Sequence, residues 1–203
     1  MLPGQVPALV VGGNEPEQRP VLQTDYLDSL VMHSPLQQFE DTLRVWRTME
    51  GFVDKGQVHR LGIANCYDPA EFKQLYAEAR IKPTVLQNRF YSDSNFDTEL
   101  REFCKGSSIW YQSFWTLTAN REALALPAVK ALADSKGLSP QTLMYAFIMS
   151  LPGGYGTPLS GTRSQQHMKE DVAVMERIQN GEAIFESETE LMDFAHILGM
   201  PAL

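Results

Sequence analysis

Three residues able to bind or polarise a ligand sit at or near the ends of short apolar runs. His33 closes Ser29-Leu30-Val31-Met32-His33, Asn65 follows Val58 to Ala64, and Gln87 lies within Pro83 to Phe90. An imidazole at a strand end can donate a hydrogen bond to a carbonyl oxygen and polarise it toward attack, although a ring paired with a backbone group is the plainer reading of His33. Each side-chain amide offers both a donor and an acceptor, so Asn65 and Gln87 can hold an amide group of a ligand; by type alone, such residues more often cap loops. Farther on, Gly161-Thr162-Arg163-Ser164 leads into a helical stretch from Gln165. A loop meeting a helix N-terminus turns N–H groups and the positive end of the dipole toward an anion. Glu170 reads by type as an ordinary solvated helix acid, and Lys169 as surface. The aromatic face of Phe114 could stack on a planar ring, whereas Trp110, Tyr111 and Trp115 read as core or lid aromatics.

Positioning these residues requires a repeated strand–helix unit. Between Asp28 and Thr162, short apolar runs are followed by stretches of helical periodicity, which implies βα units on a parallel sheet. The first unit is Ser29–His33 with a helix whose apolar face carries Leu36, Phe39, Leu43, Trp46, Met49 and Val53, ended by Gly56. The second is Val58–Ala64 with a helix near Pro69 to Arg80 and a stripe of Phe72, Leu75, Tyr76 and Ala79. Pro83–Phe90 and Ile109–Phe114 read as the next strands, with a helix around Phe96–Cys104 between them. Helices are expected near Leu126–Ser135 and near Pro140–Leu151, the latter capped by Ser139. A strand is expected at Thr157–Ser160, then helices at about Gln165–Ile178 and Glu188–Leu198. Residues 1–22 fit less well: the apolar run Val6–Val11 leads into loop composition from Gly12 to Pro20.

The chain has 203 residues, 43% of them hydrophobic, which predicts a single domain over 1–203 with one sizeable core. Its net charge of -8, with Lys and Arg scattered, gives no footprint for nucleic acid or an anionic membrane surface. Cys66 and Cys104 lack CxxC spacing and a His pattern, so the reading is reduced thiols in a cytoplasmic protein with no metal site. The run Val6–Val11 lacks a basic flank and is too short to span a bilayer, so no targeting or membrane segment is expected.

The stretch Thr24 to Pro35, in which a strand ends in His33 followed by Ser34-Pro35, is similar to a signature of the aldo-keto reductase family. It is followed in the family's order by Trp46 to Met49, Val53-Asp54-Lys55-Gly56, Leu61-Gly62-Ile63-Ala64-Asn65, Pro83 to Asn88, Leu100 to Cys104 and Leu159-Ser160-Gly161-Thr162. The resemblance implies a TIM-type (β/α)8 barrel with a nicotinamide cofactor across the C-terminal strand ends. The five units look like its strands four to eight, and Val6–Val11 resembles strand one. The barrel is therefore expected to be incomplete, lacking ~70–90 residues of a usual ~250.

For this sequence, the resemblance implies His33 as the catalytic histidine, with the family's catalytic Tyr, Lys and Asp falling in the absent segment. It implies that Asn65 and Gln87 hold the nicotinamide carboxamide, Phe114 stacks on its ring, and Trp115 and Leu117 approach the pyrophosphate through the backbone. Gly161, Thr162, Arg163 and Ser164 would meet the adenosine phosphate, and Glu170 the adenine. His167 stands where the family often has Arg, and Asp171 where it has Asn, so NADP(H) is expected with NAD(H) left open. The implied function is an NAD(P)H-dependent oxidoreductase reducing a small-molecule carbonyl to an alcohol. The alternative is a non-catalytic cofactor-binding or interaction protein derived from the family, associating with copies of itself through exposed sheet edges. A shortened product unable to close its barrel is a third reading.

Overall fold

A computed structural model describes residues 24–200, so the expected strand at Val6–Val11 lies outside the described residues. The contacts divide the chain into two compact units, Met1–Asn88 and Arg89–Leu203.

The first unit is built of βα repeats, as the alternating periodicity predicts. Strand β1 covers Leu27–Met32, helix α1 Phe39–Asp54, β2 Val58–Ala64 and α2 Pro69–Glu78; β3, Val85–Arg89, ends with the first residue of the second unit. Pairing is parallel, with Leu27 opposite Val58, Met32 opposite Ile63, Gly62 opposite Val85 and Ala64 opposite Gln87. The C-terminal parts of β1 and β2, residues 30–32 and 61–64, are apolar and continuously buried, as expected where both faces of a parallel sheet are covered. Gly62 admits the close approach of β3: a Cβ there would stand 2.7 Å from the Val85 Cβ and 2.8 Å from its carbonyl oxygen.

Helix α1 packs Trp46 with no exposure, and the indole N–H donates to the Ile81 carbonyl at 3.0 Å. Leu36, expected on its apolar face, falls before the helix and is 42% exposed, and the buried side of α1 includes the polar Thr42 and Glu50. Thr42 Oγ1 accepts from the Leu36 N–H at 2.8 Å, and Glu50 Oε1 accepts from the N–H groups of Arg80 and Ile81 at 2.8 and 2.9 Å. These polar groups are buried because each satisfies backbone donors that would otherwise be orphaned. Gly56 ends α1 with φ 68° as expected, and Pro69 opens α2 behind Asp68, which caps the Ala70 N–H at 2.8 Å.

In the second unit, a 3-10 segment at Ser92–Asp97 leads into α3, Thr98–Gly106, then β4, Trp110–Phe114. A 3-10 turn at Thr118–Asn120 and short α4, Arg121–Ala125, precede α5, Pro127–Ser135, and α6, Pro140–Ser150. Strand β5 is Gly156–Pro158, followed by α7, Gln165–Gln179, and α8, Glu188–Ile197. Strands β4 and β5 pair in parallel, with Tyr111 opposite Gly156 and Ser113 opposite Pro158.

The helix expected from Phe96 starts only at Thr98, because Asn95, Phe96 and Asp97 are left-handed at φ 51°, 50° and 53°. That turn buries Phe96 against Phe90, with ring centroids 5.0 Å apart, and places Asp97 Oδ2 2.9 Å from the Tyr111 hydroxyl that donates to it. Burial, with the carboxylate beside it, holds the Tyr111 phenol well above its ordinary titration range. Helix α6 buries every residue from Thr142 to Ile148, so it forms the unit's centre. Phe147 there lies among Phe90, Phe185 and Phe194 at centroid distances of 6.5, 6.0 and 5.0 Å. Ser139 caps α6 as expected, accepting from the Thr142 N–H at 3.1 Å.

Candidate functional site

In the first unit, three consecutive strands bring His33, Asn65 and Gln87 together. Asn65 leaves β2 in the left-handed conformation, φ 52°, which Asn tolerates better than most residues. Its backbone N–H donates to the Gln87 carbonyl at 3.0 Å, and its side-chain Nδ2 donates to the His33 carbonyl at 2.8 Å. The Tyr67 hydroxyl reaches Asn65 Oδ1 only at 3.4 Å, so that oxygen keeps acceptor capacity. The bend is held by Asn88, whose buried amide accepts from the Cys66 N–H at 3.0 Å and donates to the Cys66 carbonyl at 2.8 Å. His33 is exposed, and its ring makes no hydrogen bond among the described residues. Asn88 and Tyr67 were not foreseen as part of this arrangement. A second amide directly after Gln87 is the only sequence signal for Asn88.

In the second unit, the aromatic and phosphate-segment residues gather beyond β4 and β5. Phe114 is half-buried at the end of β4, and Trp115 is 57% exposed with φ 54°. The Arg89 guanidinium lies over the Trp115 ring, 4.1 Å from its centroid, with the Tyr91 ring at 5.1 Å. Thr116 turns inward to donate to the Ser113 hydroxyl at 2.9 Å, and half-buried Leu117 precedes the 3-10 turn. Asn120 secures that turn by donating to the carbonyls of Phe90 and Thr116 at 2.8 and 2.9 Å. The Leu159 N–H donates to the Ser113 carbonyl at 2.8 Å, carrying the chain after β5 past the end of β4.

Gly161 is exposed in open space, and Arg163 and His167 are exposed. Thr162 Oγ1 accepts from the Ser164 N–H at 3.1 Å, and Ser164 Oγ caps α7 by accepting from the His167 N–H at 3.3 Å. Asp171 Oδ2 accepts from the Ser160 hydroxyl at 2.9 Å, while Gln166 donates to Glu170 at 2.8 Å. Burial raises the Asp171 carboxyl above its ordinary value, against the opposing hydrogen bond from Ser160 and the nearby His167. The Tyr145 side chain is buried, and that burial raises its phenol above its ordinary titration range. Neither Ser160 nor Tyr145 was singled out as a site residue, since Tyr145 reads as part of an apolar helix. No group of three metal-ligating side chains occurs among the described residues, and none of their helices is long and apolar enough to cross a membrane.

Residues 16–111 match the model of the Aldo/keto reductase family. An aldose reductase of Encephalitozoon cuniculi is 27% identical over 178 residues, covering 76% of this chain and 57% of that protein. An NAD/NADP-dependent indole-3-acetaldehyde reductase of Schizosaccharomyces pombe is 31% identical over 101 residues, 48% of this chain and 35% of that protein. Among solved structures, an aldose reductase from Giardia lamblia matches with a TM-score of 0.72 at 20% identity, over 92% of this chain and 66% of that one. An aldo-keto reductase from Klebsiella pneumoniae in complex with NADPH matches with a TM-score of 0.72 at 21% identity, over 90% of this chain and 62% of that one. The fold is thus that of an incomplete barrel of the aldo-keto reductase kind, and the chain spans little more than half the length of the first curated relatives it matches.

Proposed function

We propose, from the relation of this chain to the aldo/keto reductase family through residues 16–111, that it binds a nicotinamide dinucleotide, NADP(H) or NAD(H), and reduces a small-molecule carbonyl to an alcohol. The observation that carries this reading is Asn65, whose Nδ2 is committed to the His33 carbonyl while Oδ1 keeps acceptor capacity for a carboxamide N–H. Gln87 would serve the same carboxamide, and Phe114 would give its ring an aromatic face. Trp115 and Leu117 would approach the pyrophosphate through their backbone. The segment Gly161 to Ser164, with His167, Glu170 and Asp171, would receive the adenosine end.

The cofactor, when bound, supplies a hydride to the carbonyl carbon. His33 donates a ring N–H to the carbonyl oxygen and stabilises the negative charge that develops there. Its exposure leaves room for a ligand at that position. The buried Cys66 and Cys104, which form no disulfide, suit a reducing compartment, the cytoplasm in this reading.

A second reading, a non-catalytic cofactor-binding or interaction protein, is favoured by the ring of His33. A working acid or base is ordinarily oriented by another side chain, and this ring has no such hydrogen bond among the described residues. Titration of NADPH and NADH followed by intrinsic fluorescence tests what the two readings share, and turnover of a generic aldehyde separates them. Saturable binding weakened in both Phe114→Ala and Thr162→Ala is expected; absence of binding in the unaltered protein rejects the cofactor site. Self-association, which the second reading predicts, is read by light scattering.

A further inference from the structure

We propose that Trp115 is an aromatic platform that stacks a planar aromatic ring of a ligand. Its position disfavours a bulky side chain on two counts. The residue holds φ 54°, where an L residue is strained and glycine fits best, and it is 57% exposed, so the indole forgoes much of the burial that makes a tryptophan stabilising. Strain in a non-glycine residue persists where the surroundings require it, and such positions cluster at ligand clamps.

Although exposed, the indole is fixed. The Arg89 guanidinium lies over the ring, 4.1 Å from its centroid, and is itself held, with Nε buried and the Tyr91 ring 5.1 Å away. A cation over one face leaves the exposed area to the opposite face and the rim. No other ring or cation stacks on Trp115 among the described residues. An aromatic side chain has few rotatable bonds, and one already pinned from one side loses little further freedom when a ligand settles on the other. Offset stacking rewards a flat π-system there, whereas a saturated ring of similar size gains only contact area. Trp115 directly follows Phe114, the residue proposed to face the nicotinamide, so the platform adjoins that position in the same unit.

The source of the ring rests on the proposed function: it is either the aryl group of a carbonyl substrate or a ring of the cofactor. The platform itself does not depend on that reading. Titration calorimetry of the full chain with acetophenone and with cyclohexyl methyl ketone, each with and without saturating NADH, provides the test, alongside titrations with NADH and NADPH. The two ketones differ in whether the ring is aromatic. Trp115→Leu removes the π-face and Trp115→Phe keeps one, and both side chains meet the same backbone strain as the tryptophan. Acetophenone is expected to bind more tightly than its saturated analogue, with that preference falling about three- to tenfold in Trp115→Leu and largely retained in Trp115→Phe. This outcome assigns the platform to an aryl substrate. Dinucleotide binding that weakens in Trp115→Leu and recovers in Trp115→Phe, with no preference between the ketones, assigns it to the cofactor. A ketone preference that depends on Trp115 in a chain binding neither NADH nor NADPH supports the platform while rejecting the cofactor reading. A Trp115→Leu protein that binds both ketones and both dinucleotides as the unaltered chain does overturns the proposal, as does an unaltered chain that binds none of the four.

Discussion

At the scale of single residues, Asn65 joins two requirements that different substitutions separate. Its backbone needs the left-handed conformation, and its side chain ties the His33 carbonyl at 2.8 Å. Asn65→Gly keeps the conformation without strain and removes the amide, so it should weaken NADPH binding about tenfold if the amide serves the carboxamide. Asn65→Ala should add a loss of about 1 kcal/mol in stability from its Cβ in that conformation, read as a lower thermal midpoint. Equal cofactor affinity in Asn65→Gly and the unaltered chain would show that the amide only holds the strand end. That Asn65 belongs to a site was legible from its place in an ordered series of motifs. Its bond to His33 was not, because it joins residues 32 positions apart.

At the scale of elements, Glu50 couples α1 to the segment after α2. Its side chain is only 2% exposed, and burial by itself would raise its pKa. The Ile81 and Arg80 N–H groups and the Arg47 guanidinium outweigh that effect and leave the carboxyl below its ordinary value of 4.5. A carboxyl lowered on folding stabilises the native state above the unfolded pKa, and that contribution is lost as pH falls through the folded value. Chemical denaturation of the unaltered chain should therefore show an acid-side loss of stability below about pH 4.5 to which Glu50 contributes. Glu50→Gln should flatten that loss and cost about 1–3 kcal/mol at pH 7, since an amide can satisfy the two backbone donors but not the cations as well. An unchanged pH profile in this variant would count against the assignment. The apolar stripe of α1 concealed Glu50, because helical periodicity reports the preferences of residue types and not a backbone donor pair 30 residues away. Short α4 and the left-handed turn before α3 escaped notice for a related reason: each is too brief to establish a period.

At the scale of the whole molecule, a cofactor that binds only the folded chain must stabilise it. NADPH at about 100 times its Kd should add ~2.7 kcal/mol, a rise in thermal midpoint of about 5–10 °C for a chain of this size. A midpoint indifferent to NADPH and NADH alike would contradict the cofactor reading. The alternation of apolar strands with amphipathic helices, their order, the parallel pairing and the ends of most elements followed from the sequence by itself, because periodicity, caps and glycine or proline stops act over a few residues. The same local reading located His33, Asn65 and the Gly161–Ser164 loop at element ends, whereas Gln87, expected at a strand end, stands in the middle of β3 paired with Ala64. Only the tertiary structure decided that Glu50 and Asn88 are buried, that the Asn65 amide holds the His33 carbonyl, and that Trp115 stands exposed beneath a guanidinium. Those outcomes depend on partners more than 20 residues apart in the chain, brought together when strands pair and helices pack, and the type of a residue does not state which donor or ring it will meet.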